Sequence, residues 1–347
     1  MTLLHIDGFE GYGKEDVGSF WESGSYINTY GYIDQVGRRG GYCAYAPSRV
    51  RDASFSLNWN NTNKIDDQVM VVGCAVKIKD ASNSRTIINI YENDSVANVV
   101  IDPNSIIRVN YQPGGTSALL YASPFITWDT WYYLELKARK HPTEGFVQFR
   151  INEELVLDAT GLDTVGYTSS GTQIAGVRFE ATIYTTWWLD DIYILDTTGS
   201  KNNDFLGDIR VDSIHPNGAG NYTQLTPSAG SNYQCVDETN MDDTDYVEGA
   251  NAGEIDSYTY GSVPTDIDDA AIFGIQLRNQ AIRTAESDNI KMKGLLRTGS
   301  TDYKESTAQS LADIVKSKVV IWEDDPSDSN SWTQAKINAC EFGVEVA

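Results

Sequence analysis

The chain has 347 residues and a formal net charge of −23, from 26 Lys and Arg against 49 Asp and Glu, which is long for one sandwich domain and enough for two separate cores. Both halves are acidic, and repulsion from phosphate excludes nucleic acid and anionic membranes as main partners. No apolar run approaches the roughly 20 residues that span a bilayer, and the opening Met1-Thr-Leu-Leu-His-Ile-Asp7 lacks the basic and apolar parts of a secretory leader, so the chain is expected to fold in a cytoplasm.

Tyr (20) and Gly (29) are abundant and Pro (9) is scarce, a balance that favours strands and tight turns over helices. Alternation with period two then runs through the first 195 residues. Val72, Cys74, Val76 and Ile78 alternate with Lys77 and Lys79; Ile107, Val109 and Tyr111 with Arg108 and Asn110; Tyr132, Leu134, Leu136 and Ala138 with Glu135, Lys137 and Arg139. Val147, Phe149 and Ile151 against Gln148 and Arg150, then Val177, Phe179, Ala181 and Ile183 against Arg178, Glu180 and Thr182, continue the series. Such strands pack one face and wet the other, as antiparallel sheets do. Asp80-Ala-Ser-Asn83, Glu92-Asn-Asp94, Asp102-Pro-Asn104, Pro113-Gly-Gly115 and His141-Pro-Thr-Glu-Gly145 read as the turns between them.

The polar stretch Asp196-Thr-Thr-Gly-Ser-Lys-Asn-Asn203 is the expected domain boundary, giving domains at 1–197 and 204–347. Beyond it Phe273, Ile275 and Leu277 alternate, as do Ile290, Met292, Gly294 and Leu296, and Val319 to Trp322 adds a short apolar strand. Ser331 is placed to cap a short helix over Ser331 to Cys340, with a last strand at Phe342 to Val346. The expected class is therefore all-β: an N-terminal jelly-roll sandwich and a second β-rich domain with a short C-terminal helix.

Several of these segments resemble a known family. His5-Ile-Asp-Gly-Phe-Glu10, Trp131-Tyr-Tyr-Leu-Glu-Leu-Lys137, Val147-Gln-Phe-Arg-Ile-Asn152 with Leu155-Val-Leu-Asp158, and Trp188-Leu-Asp-Asp-Ile-Tyr-Ile-Leu195 are similar to a concanavalin A-like (laminin G-like) jelly roll over about residues 1–197. Phe205-Leu-Gly-Asp-Ile-Arg-Val211, the Pro216-Asn-Gly218 turn and Trp332 through Val346 resemble the C-terminal part of minor virion proteins of tailed phages, in which a lectin-like module precedes an F-L-G-D-x-R-V segment. The resemblance implies a virion structural protein of the tail or adsorption apparatus, with capsid-surface decoration as the alternative. It also implies assembly with other virion proteins and a homo-oligomer, a trimer favoured.

Chemistry-bearing patterns are sparse. Glu254-Ile-Asp256 is the nearest match to a row of alternating glucanase carboxylates, but the next same-face position is Tyr258. Glu135 is expected to face water without an acidic partner two residues on, and His5, His141 and His215 stand alone. Asp242-Asp-Thr-Asp245 with Glu248 lacks the register of a helix-loop-helix calcium site. Asp190 and Asp191, as neighbours on a strand, are expected to point to opposite faces and to share no ion. Gly37-Arg-Arg-Gly-Gly41 reads as a basic turn, since no Lys-Ser/Thr follows to make a phosphate loop. Cys43, Cys74, Cys235 and Cys340 form no Cys-x-x-Cys pair and are expected as buried free thiols.

No catalytic, cofactor or metal residue is therefore assigned, and the chain is expected to be no enzyme. Trp187 and Trp188, with Tyr184 nearby, can stack on a sugar ring, though one of the two tryptophans is expected in the core. Tyr26, Tyr30, Tyr32, Tyr42 and Tyr45 suit either a protein interface or a glycan-contact loop. The rival to assembly is thus a carbohydrate-binding adhesin for host-surface glycan.

Overall fold

The computed structural model describes residues 2–11, 21–23, 32–34, 36–47, 53–58, 68–168, 171–181, 185–239, 244–267, 270–284 and 290–347, with backbone only at 22, 23, 32, 53–58 and 181. The chain is all-β, with several antiparallel sheets and one short C-terminal α-helix. It divides into two compact units, the first built from Met1–Glu10 and Trp21–Val211 and the second around Asp212–Ala347.

In the first unit the described strands are β1 (Leu3–Asp7), β2 (Glu22–Ser23), β3 (Tyr32–Asp34), β4 (Cys43–Ala46), β5 (Ala53–Asn58), β6 (Val69–Ala81), β7 (Arg85–Tyr91), β8 (Ser95–Ile101), β9 (Ile106–Tyr111), β10 (Ala118–Phe125), β11 (Trp131–Arg139), β12 (Gly145–Ile151), β13 (Glu154–Leu162), β14 (Gly176–Ala181) and β15 (Thr185–Leu195). One sheet runs β13-β12-β11-β6-β15-β4-β3 with β1 also on β15; the other runs β10-β9-β8-β7-β14-β5-β2. The chain switches sheets between β1 and β2, β2 and β3, β4 and β5, β5 and β6, β6 and β7, β10 and β11, β13 and β14, and β14 and β15. This is a jelly-roll type of sandwich: strands distant in sequence become neighbours, so β6 lies between β11 and β15.

The alternating apolar positions become the interior. Val72, Cys74, Val76, Ile78, Leu134, Leu136, Val147, Phe149, Val177, Phe179, Trp187 and Leu189 are all buried, each contributing about 1.5–3 kcal/mol from apolar burial. β6 is buried on its other face too, at Val71, Gly73 and Ala75, because β15 lays the Tyr193 ring across Gly73. A Cβ on Gly73 would stand 2.0 Å from Tyr193 Cε1, so only glycine admits that ring.

The first unit ends at Val211, past the polar stretch expected as the boundary. The reason is local. Residues 204–211 are held on the outer face of the first sheet: Lys137 Nζ donates to Asp204 (3.0 Å), Leu206 N–H to the Tyr193 hydroxyl (3.1 Å), Gly207 N–H to Glu135 (2.8 Å) and Val211 N–H to Asp191 (2.9 Å). Arg150 lies over the Phe205 ring at 4.4 Å.

The second unit contains β16 (Pro216–Thr223), β17 (Thr226–Pro227), β18 (Val247–Glu248), β19 (Ile255–Tyr260), β20 (Ile275–Ala281), β21 (Lys291–Thr298), β22 (Thr301–Lys304), β23 (Gln309–Ser310), β24 (Lys316–Trp322) and β25 (Cys340–Val346). Its main sheet runs β16-β19-β25-β21-β22, and β20 pairs with β24. Leu277, Leu296, Val320, Trp332, Ile337, Cys340 and Phe342 form its core. The helix, α1, spans Gln334–Asn338 and is capped by Thr333, whose hydroxyl accepts from Lys336 N–H, in place of the expected start at Ser331. Trp332 explains the later start. It is buried, its indole donates to Trp322 O (2.9 Å), and its backbone bridges to Ile272, which keeps 331–333 extended.

Candidate binding face

Register brings together what sequence spacing could not. Across the outer face of the first sheet, Trp131 of β11 pairs with Lys77 of β6, Lys77 with Trp188 of β15, and Trp188 with Tyr45 of β4. The backbone continues the same line to Tyr32 of β3. Four side chains from four strands thus stand in one row. At about 4.8 Å per strand step the row from Trp131 to Tyr45 is about 14 Å long.

Trp131, Lys77, Trp188 and Tyr45 are each partly exposed. The Trp188 and Tyr45 rings stack with centroids 5.0 Å apart and planes 27° from parallel. Lys77 Nζ sits 4.2 Å from the Trp188 ring centroid and 5.2 Å from that of Trp131. The indole N–H of Trp188 donates to Asp34 at 3.3 Å, fixing the ring's orientation. A hydrogen-bonded sheet beneath, and neighbours on either side, leave these rings little freedom. The ordering cost of these side chains is thus already met in folding.

As expected, the two tryptophans divide: Trp187 is a core residue and Trp188 is outward. Tyr184, Tyr26 and Tyr30 lie outside the described residues.

A second polar group lies further along the same face. Asp190 and Asp191 do not point apart. Asp191 has φ +49°, and the β15–β6 register slips between Asp190, opposite Ala75, and Tyr193, opposite Gly73. This bulge inserts one residue and turns both carboxylates to the outer side. There Arg38 N–H donates to Asp190 (2.7 Å), and the Arg38 guanidinium lies 3.6 Å from Asp191 while gripping both carboxylate oxygens of Asp208. The Gly37–Gly41 segment is the basic turn expected, closed by Gly37 N–H to Gly41 O at 3.2 Å.

Glu135, expected in water, is fully buried. It accepts from the Tyr193 hydroxyl and from Gly207 N–H, so the returning 204–211 segment covers it. Burial pushes the carboxyls of Glu135 and Asp191 above their ordinary range. Asp190 is pushed up to about 8 by burial and by the charge of Asp191, against the pull of the Arg38 and Asp191 N–H groups. These acids serve to hold the chain: every one of them accepts a backbone N–H.

The remaining candidates stay apart. In the second unit Asp256 is buried and accepts from Leu225 N–H (2.9 Å), Asn232 Nδ2 (2.6 Å) and the Tyr258 hydroxyl (3.0 Å), while Glu254 turns away to cap Ala250 and Asn251. His5 lies edge-on to Trp21, His141 Nδ1 accepts the N–H groups of its own turn, and burial lowers the pKa of His215. Asp242 and Asp243 lie outside the described residues, and no group of three or more His, Cys, Asp or Glu among the described residues is placed to hold a metal. The four cysteines are free and buried.

No protein-family model and no curated protein sequence matches the chain. Among solved structures it is similar to an alginate lyase variant in complex with an alginate trisaccharide, at 14% identity over 56% of this chain and 97% of the other, with a TM-score of 0.35. A carbohydrate esterase from a Shiga toxin-encoding bacteriophage matches at 13% identity over 55% and 99%, TM-score 0.37. Trypanosoma rangeli sialidase matches at 10% identity over 56% of this chain, TM-score 0.38, and the chain spans only 30% of its length. Likeness at these TM-scores transfers neither ligand nor activity to this chain.

Proposed function

We propose that this protein is a non-catalytic component of a tailed-phage particle, of its tail or adsorption apparatus, that binds host-surface saccharide through the row Trp131–Lys77–Trp188–Tyr45. The observation that carries the binding half is the row itself: three aromatic residues and a lysine, brought into register from four strands on a rigid, partly exposed sheet face. The outer rings of the row, Trp131 and Tyr45, offer apolar faces to the C–H faces of sugars, with Trp188 holding Tyr45 and Lys77 in place between them, and Lys77 with Asp34 offers polar groups for the hydroxyls. The particle half rests on the resemblance of Phe205–Val211 and the lectin-like segments to minor virion proteins. Its partners are then other virion proteins and further copies of this chain, favouring a homotrimer.

A glycan array with the intact chain and with Trp188→Ala tests the binding half. Reproducible hits that the substitution abolishes are expected; the absence of hits with the intact chain refutes it.

A second reading, assembly or capsid decoration without glycan, is favoured by a different observation. Edge strands β10 and β13 expose Leu119 (54%), Phe125 (75%) and Leu155 (46%), and unpaired edges with apolar side chains invite protein contacts. Light scattering of the intact chain against Phe125→Ser distinguishes it: an oligomer that the substitution dissociates is the expected outcome of that reading.

A further inference from the structure

We infer that the saccharide is acidic, bearing a ring carboxylate that pairs with the Lys77 ammonium while the ring stacks on Trp131. This rests on the saccharide reading above and names the class of ligand.

Charge carries the argument. A chain with a net charge of −23 repels anions in general, so holding one requires a cation whose charge is not already paired with a neighbouring carboxylate. Lys77 is one. Among the described residues it has no ion pair and no hydrogen bond through its side chain, and its ammonium is held between two indole rings at 4.2 and 5.2 Å. Cation–π contact positions the ammonium without neutralising it. Lys79, two residues on and therefore on the same face of β6, is exposed and likewise has no ion pair among the described residues.

The acids on this face each accept a hydrogen bond from another group. Asp34, beyond Trp188, accepts the Trp188 indole N–H. Asp190 and Asp191 are buried against Arg38, and Asp80 accepts Thr186 N–H. An anionic group is thus steered to the Lys77 end of the row and away from the Asp34 end. A ring carboxylate meets this arrangement naturally, because the acid lies at the rim of the same ring that stacks.

The test uses the intact chain with three uronate polymers (alginate, polygalacturonate and hyaluronan), the carboxyl-reduced form of each, and dextran sulfate. Binding to at least one uronate polymer is expected, weakening with added salt. Carboxyl reduction and Lys77→Met should each reduce that affinity by roughly tenfold or more, the weight of one charge-assisted contact, and Lys77→Arg should restore most of it. Unchanged unfolding midpoints for the Lys77 variants show that the sheet is intact. Equal binding to native and reduced polymers, or binding to dextran sulfate alone, overturns this inference while leaving the saccharide reading standing. No binding to any polymer, charged or neutral, overturns both.

Discussion

Replacing Arg38 by Met tests whether residues 204–211 are held to the sheet by charge. The substitution keeps most of the apolar stem and removes a guanidinium whose side chain is 15% exposed, facing Asp191 at 5% and Asp208 at 29%. Breaking a buried pair by deleting one partner costs about 3–5 kcal/mol, because the other charge stays buried. Asp208 is partly solvated and can turn to water, which places the expected loss at the lower end, about 3 kcal/mol. Urea denaturation followed by Trp fluorescence gives the size. Trypsin gives the place, since Arg210 lies within the held segment and should be cut faster in the variant. The cycle with Asp208→Asn, which also gives up the exposed Arg39 contact at 3.2 Å, then measures the coupling of Arg38 with Asp208, and the double variant should be little worse than Arg38→Met alone. An unchanged denaturation midpoint together with unchanged cleavage at Arg210 would refute the reasoning.

Three further outcomes follow from the same face and from the core. Asp190, raised to about 8, has a folded pKa above the unfolded value of about 4; its contribution to stability is complete below that lower value and is lost as pH rises towards 8. Asp190→Asn should therefore flatten the fall in stability across that window, measured as denaturation midpoint against pH, and parallel curves for the two proteins would count against it. Gly73→Ala sets a methyl 2.0 Å from Tyr193 Cε1 and should cost about 1–3 kcal/mol by overpacking; calorimetry showing an unaltered Tm would contradict this. Burial raises the thiols of Cys43 and Cys74 above their ordinary range and that of Cys340 to about 11, so an aromatic disulfide reagent at mildly alkaline pH should leave all three untouched until denaturant is added. Prompt labelling of Cys74 in the folded chain would show the interior to be open.

The strands were legible because their signal is local. Val72 to Ile78, Tyr132 to Ala138 and Val147 to Ile151 each carry the period-two pattern within one segment, and a half-buried strand requires nothing else of its neighbours in sequence. The failures share one cause. Glu135 alternates with Leu134 and Leu136 as a wet residue would, yet a segment some seventy residues later folds over it. The same rule places Asp190 and Asp191 on opposite faces, and it fails where a positive φ inserts a bulge. Ser331 looked like a helix cap because local spacing says nothing of the Trp332 side chain, which is drawn into the core and delays the helix to Thr333.

The sequence alone determined the all-β class, the inward positions of the strands with a clear period-two pattern, the division of Trp187 from Trp188 and the net acidity. These depend on composition and on side chains within a few residues of each other. The row Trp131–Lys77–Trp188–Tyr45 was decided only by the tertiary structure. Its members are distant in sequence, and each is unremarkable as the outward residue of its own strand; the pairing of β11, β6, β15 and β4 makes them neighbours. A slip of one residue in any of those pairings would turn a side chain to the other face of the sheet, so register, which no single strand encodes, creates the candidate surface.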